Sequence, residues 1–204
     1  MKLLTIGDSF TYGEELRDRN KAWPHILGKL LDYEVTNLGQ PGCSNNAMVR
    51  TAIEHSNEYD LIVIAWSHFA RQQVADENGT WDVWPGSNDI FFTGDLKYRK
   101  ELIHYVTRYH SDDFLYNEYV TNVILLQKYL ESQSLRYVML DSFGNHQHEQ
   151  RNTNSLISQV NQEHFLGWPN ESMMEWAYGS PKGPSGHFLE QGHQQVAEKI
   201  NEHI

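Results

Sequence analysis

Four short runs of apolar and β-branched residues, Leu3 to Ile6, Tyr33 to Leu38, Leu61 to Trp66 and Tyr137 to Leu140, are each followed by turn-forming residues. Runs of this length and composition read as strands buried on both faces. Between them the spacing becomes that of amphipathic helices, over Ala22 to Leu31, Asn46 to His55 and Phe114 to Leu130, where Leu115, Tyr119, Val123, Leu126 and Leu130 share one face. Buried strands that alternate with helices make a parallel sheet covered on both sides. The expected fold class is therefore α/β, a three-layer α/β/α sandwich around a central, mainly parallel sheet. Ligands of such sheets bind beyond the carboxyl ends of the strands, which is where chemistry is sought.

At 204 residues the chain is one domain's worth of sequence with a core of its own. It reads as a single domain over 1–204 with an elaboration at about 72–111, an interval too long for a simple crossover. The first half of that interval carries Trp81, Trp84, Phe91 and Phe92 among Gly, Asn and Asp, and the second half has Tyr98, Leu102, Tyr105, Val106 and Tyr109 at helical spacing. The aromatic half suits either a sugar-stacking wall or a satellite cluster under a long loop. With 27 acidic against 16 basic residues the formal charge is −11, which argues against a nucleic-acid backbone or an anionic membrane as partner. Cys43 is the one cysteine, so no intramolecular disulfide forms and a reducing compartment is expected. The opening apolar run is too short for a signal peptide and no later run has spanning length, so the expectation is a cytoplasmic chain, or one without a Sec signal, and no membrane segment. Eleven histidines show no His-Glu-x-x-His spacing, and Asn145-His146-Gln147-His148 lacks a third ligand, so no metal or other cofactor is expected.

The first strand runs into Gly7-Asp8-Ser9-Phe10-Thr11-Tyr12-Gly13. This puts a serine at a strand-to-helix turn, with its hydroxyl at the ligand edge and its N–H able to face an anion. Gly7 lets the backbone turn and Asp8 can accept from local amides. After the second strand comes Asn37-Leu38-Gly39-Gln40-Pro41-Gly42-Cys43-Ser44-Asn45, and near the C-terminus His187-Phe188-Leu189-Glu190-Gln191-Gly192-His193 leads into a last helix. In these blocks, and in Ala22-Trp23-Pro24, the chain resembles the SGNH, or GDSL-type, hydrolases over nearly its whole length. The resemblance implies a flavodoxin-like fold and ester hydrolysis. Two departures stand out. The family's Gly-x-Asn-Asp after the third strand is replaced by Ala65-Trp66-Ser67-His68, and the acid usual three residues before the last-block histidine is replaced by Pro184.

Ester cleavage needs a nucleophile, a base within hydrogen-bond reach and donors for the oxyanion. Ser9 is the expected nucleophile. His187, on a loop able to reach the same sheet edge, is the expected base, the role that the family gives its equivalent. His193, spaced with Val196 and Ile200, belongs on a buried helix face and reads as structural. The resemblance implies the N–H groups of Ser9 and Gly42 as oxyanion donors, with Ser67 or His68 in the place of the family asparagine. Asp8, Trp66 and Arg71 are the substrate-binding candidates. The orienter of the base stays open between a backbone carbonyl, no orienter at all and an acid from elsewhere, with Asp141 at the correct edge but equally suited to a cap. The expected function is a serine esterase acting on a small acyl ester, with O-acetylated carbohydrate as first choice. The alternative is a non-catalytic glycan-binding or interaction module on the same fold.

Overall fold

Strands β1 (Lys2–Ile6), β2 (Glu34–Asn37), β3 (Leu61–Trp66) and β6 (Tyr137–Asp141) pair in the order β2-β1-β3-β6, all parallel. The computed structural model in which they are seen describes residues 1–76, 79–83, 101, 104, 108, 111–145 and 154–204. Register is set by apolar rows across the sheet, such as Leu3 opposite Val35 and Leu61, and Ile64 opposite Met139. A slip of one residue would turn each row to the wrong face. Beyond β6, among the described residues, the chain adds a single parallel bridge, Met139 to Phe165. The main-sheet order is the start of the 2-1-3-4-5 doubly wound arrangement, whose ligands sit at the carboxyl ends of the strands.

Alternate residues of each strand supply two cores. On one face Leu4, Ile6, Ile62, Ile64 and Met139 pack against α3 (Asn45–His55) and α4 (Asp112–Ser132), which contributes Leu115, Tyr119, Val123, Leu126 and Leu130. On the other, Leu3, Leu61, Val63, Ala65, Val138 and Leu140 pack with α2 (Trp23–Leu31) and the last helix, Glu190–His203. The helix starts follow from local chemistry. Ser44 and Ser111 cap α3 and α4 by accepting from Ala47 N and Phe114 N at 3.3 and 3.2 Å. Helix α2 has no side-chain cap at Ala22, and instead Trp23 N donates to Nδ1 of His193 on the last helix at 3.2 Å. His193 is thus a fully buried structural acceptor, and burial pushes its imidazole down to about 3.

From the 72–111 interval the structure describes an antiparallel hairpin, β4 (Gln72–Asp76) with β5 (Gly79–Val83). Its Asp82 accepts from Ser44 N at 3.2 Å, which ties the hairpin to the start of α3. The side chain of Trp81, and Trp84, Phe91, Phe92, Tyr98, Leu102, Tyr105, Val106 and Tyr109, lie outside the described residues, as do His146 and His148. Among the described residues no helix is long and apolar enough to cross a membrane.

Candidate active site

The end of β1 turns sharply because Gly7 has no side chain. A Cβ there would meet Thr11 Oγ1 at 2.1 Å and the Ala65 carbonyl at 3.1 Å. Asp8 then caps the four-residue helix α1 (Ser9–Tyr12) by accepting from Phe10 N at 3.0 Å. Ser9 is the first residue of that helix, so its N–H has no intrahelical acceptor. Its hydroxyl donates to Nε2 of His187 at 2.8 Å, across 178 residues of sequence. Phe10 packs beside the imidazole with ring centroids 4.9 Å apart.

On the far side of the ring, Nδ1 of His187 is 2.9 Å from Oε2 of Glu15. A carboxylate can only accept, so the proton is on Nδ1 and Nε2 is left as the acceptor for Ser9. The backbone N–H of His187 also donates to Oε2, at 3.1 Å, and that of Ser185 to Oε1, at 2.8 Å. Burial alone would raise the Glu15 carboxyl, but these N–H groups and the His187 ring outweigh it and hold the group below its ordinary range. The loop closes tightly enough for this because Gly186 takes φ +90°, and because a Cβ on Gly183 would stand 2.6 Å from the Glu15 carboxyl carbon. Glu15 itself is in the left-handed region at φ 66°, an uncommon conformation for a residue with a Cβ. The carboxylate beside His187 thus comes from the other end of the chain and not from position 184. Only the pair Glu14-Glu15 directly after the Gly13 turn hinted at it in the sequence.

The segment after β2 is stitched onto the serine turn. Asn37 Nδ2 donates to the Thr11 carbonyl at 2.8 Å, Asn37 Oδ1 accepts from Gly39 N at 2.9 Å, and Gln40 N donates to the Gly7 carbonyl at 2.9 Å. Gly42 lies in this segment at φ 76°. Cys43 beside it is buried, and burial pushes its thiol far up, so it is held as the thiol and packs.

Four sequence expectations need correction. Trp66 is wholly buried in the core, edge-on to Tyr119 at 6.2 Å between centroids, and cannot touch a substrate. Ser67 is also fully buried and both its donors are engaged, the hydroxyl with Asp8 Oδ2 at 3.2 Å and the N–H with Asn45 Oδ1 at 3.0 Å. Asp8, fully buried, is occupied by the α1 cap, Ser67 and Arg71; burial raises its carboxyl against the pull of Arg71. Arg71 turns inward, donating from Nη1 to Ser67 Oγ at 2.8 Å and to Asp8 Oδ2 at 3.4 Å, while its guanidinium lies over the Phe143 ring at 5.1 Å. Asp8, Ser67 and Arg71 form one buried hydrogen-bonded group beside the turn that carries Ser9. His68 is half-buried, and its Nδ1 accepts from Ala70 N at 3.1 Å, which assigns the ring proton to Nε2. Asp141 does not orient His187. It accepts from Tyr119 Oη at 2.7 Å and Asn145 Nδ2 at 2.9 Å, and burial lifts its carboxyl to about 7. Through Asn145, which also donates to the Ser67 carbonyl at 2.9 Å and accepts from Phe69 N at 3.0 Å, Asp141 steadies the turn after β3.

The model of a family described as "Family of unknown function (DUF6071)" matches residues 8–204. No curated protein matches the sequence. Among solved structures, the chain is similar to the psychrotrophic esterase EstA from Pseudoalteromonas sp., with a TM-score of 0.57 and 13% identity over 98% of this chain and 94% of that one. It is similar to the acetylxylan esterase Axe2 from Geobacillus stearothermophilus, with a TM-score of 0.55 and 16% identity over 99% and 93% of the two chains. It is also similar to a member of the lipolytic protein G-D-S-L family from Veillonella parvula DSM 2008, at 0.53 and 14% over 99% and 97%. At these identities the likeness is one of fold.

Proposed function

The chain belongs to the DUF6071 family, whose description assigns no activity, and from the site itself we propose that it is a serine esterase cleaving small acyl esters through an acyl-enzyme. The observation that carries this reading is the unbroken relay from Ser9 Oγ to His187 Nε2 at 2.8 Å and from His187 Nδ1 to Glu15 at 2.9 Å. The fold shared with esterases supports it.

In this mechanism Nε2 of His187 takes the Ser9 proton as Oγ bonds to the ester carbonyl carbon. Glu15 keeps Nδ1 protonated and stabilises the imidazolium that forms. The oxyanion is met by the N–H groups of Ser9 and Gly42, with Nε2–H of His68 as the candidate third donor. Collapse breaks the bond to the leaving oxygen, which receives the proton from Nε2. Water then attacks the acyl-enzyme by the same route, releasing the acid and restoring Ser9. Asp8 and Arg71 act by fixing the turn that carries Ser9. Among small acyl esters, O-acetylated carbohydrate is the class to assay first, because one neighbour in fold is named an acetylxylan esterase.

The test is hydrolysis of a chromogenic acetyl ester together with the mass of the protein after treatment with an activated alkylphosphonate. Wild type should turn the ester over and gain one phosphonyl adduct at Ser9, whereas Ser9→Ala should lose both, with a rate drop on the order of 10⁴-fold or more. Hydrolysis that survives Ser9→Ala, or an adduct elsewhere, removes Ser9 as the nucleophile.

A further inference from the structure

The relay accounts for one of the two carboxylates that follow the serine helix. The other, Glu14, comes to the opposite side of the same ring. Its Oε2 is 3.6 Å from His187 Nε2, the nitrogen that faces Ser9. That separation is too long for a hydrogen bond. With Nδ1 protonated, Nε2 is an acceptor, so two acceptors face each other. Glu14 Oε2 is shut off from solvent and has no hydrogen-bond partner among the described residues, although the side chain as a whole is 29% exposed. A carboxylate oxygen left without a donor in such a position is costly, and a ligand that brings the donor removes that cost.

The identity of the donor follows from which nitrogen Glu14 faces. Nε2 hands its proton to the leaving oxygen, so the alcohol half of the ester must sit within about 3 Å of Nε2. The Glu14 carboxylate therefore borders the space of the leaving alcohol. Oε2 is covered in this structure but the side chain is partly exposed. A hydroxyl on the carbon next to the ester oxygen thus reaches the carboxylate once a side-chain rotation turns an oxygen to the cleft, while the ester oxygen stays at Nε2. The backbone from which the carboxylate projects is fixed, because Gly13 takes φ 82° and Glu14 N donates to the Ser9 carbonyl at 3.0 Å.

Resting on the esterase reading above, we propose that Glu14 selects the alcohol half of the substrate by accepting a hydrogen bond from a hydroxyl vicinal to the ester oxygen. The preferred substrates are then partial esters of diols and polyols, with esters of simple alcohols as poor ones. A site built for a hydroxyl rejects the analogue lacking it, because its own buried group is then left unpaired.

The experiment compares kcat/KM for glycerol 1-acetate and propyl acetate, which differ by the hydroxyls alone, in wild type, Glu14→Gln and Glu14→Leu. The ratio is internal to each protein, so any effect of Glu14 on His187 divides out. Wild type should favour the glycerol ester by roughly ten- to a hundredfold, the size of one hydrogen bond to a charged acceptor. Glu14→Leu should bring the ratio near one, and Glu14→Gln, which keeps an acceptor oxygen, should fall between. Equal rates on the two esters in wild type, or a preference that survives Glu14→Leu, overturn the proposal. Acetylcholine carries a cation with no proton to donate, and a gain on it equal to that on glycerol acetate would also overturn the hydroxyl reading in favour of charge. Loss of the esterase reading looks different, with no hydrolysis of either ester and no phosphonyl adduct at Ser9, and it removes this proposal too. Adduct formation in both Glu14 variants shows that they fold.

Discussion

His193 and Asp141 are both buried and both titrate far from their ordinary range, yet they push stability in opposite directions. Burial holds His193 at about 3 against an ordinary 6.5, so on acidification the unfolded chain takes up the proton first. Stability is lost as pH falls from about 6.5 towards 3. Burial lifts Asp141 to about 7 from 3.8, so here the folded chain takes the proton first. Its stability contribution is present below 3.8 and lost as pH rises through about 7. Each swing is on the order of 4 kcal/mol, and in wild type they oppose one another between pH 7 and pH 4. Asp141→Asn should therefore lose stability on acidification several kcal/mol faster than wild type, and His193→Gln should lose it more slowly. Urea unfolding at pH 7 and pH 4.5 checks this, and parallel trends in the three proteins would contradict it. The role of His193 was legible from its spacing with Val196 and Ile200. That of Asp141 was not, because its partners Tyr119 and Asn145 reach it from separate elements.

The four strands of the main sheet and the long helices could be read almost residue for residue, whereas the β4–β5 hairpin was not foreseen. Leu115, Tyr119, Val123, Leu126 and Leu130 are all buried on one face of α4, since a periodic apolar stripe has only one way to face a core. Loops do not obey such a pattern, and apart from Trp66 at the end of β3 it was in loops that the reading failed. Ser67 and Arg71, expected at the substrate, turn inward because Asp8 is buried beneath them and needs their donors. The segment from Leu38 to Ser44 shows how closely one loop depends on another. A Cβ on Gly39 would lie 2.5 Å from Tyr12 N and 2.8 Å from the Thr11 carbonyl carbon, backbone atoms that cannot swing aside. Gly39→Ala should then lift the segment off α1, cost about 1–3 kcal/mol and, with Gly42 N–H as the proposed oxyanion donor, lower kcat. Unfolding midpoints and kcat on a chromogenic ester measure both effects. A destabilised variant with wild-type kcat would contradict the proposed role of Gly42 in oxyanion binding.

The sheet order brings the ends of β1, β2 and β3 to one edge, and the two halves of the candidate site meet there from opposite ends of the chain. Ser9 and Glu15 come from the first turn of the fold, and His187 from the loop before its last helix. The sequence carried the serine and histidine blocks plainly, because each is a local pattern. The acid was hidden, since its pairing with His187 spans 172 residues and depends on a left-handed backbone at Glu15 that no motif announces. The charge of −11 fits a neutral ester better than a polyanionic substrate and decides nothing further. What matters for the whole molecule is whether the acid from the first turn completes a relay with the histidine of the last. That is measured by kcat for Glu15→Gln on a short-chain chromogenic ester, alongside its unfolding midpoint. A working relay predicts a fall in kcat on the order of 10⁴-fold with the fold retained, as for loss of the orienting acid in a serine triad. A folded Glu15→Gln variant within a few-fold of wild-type kcat would contradict it.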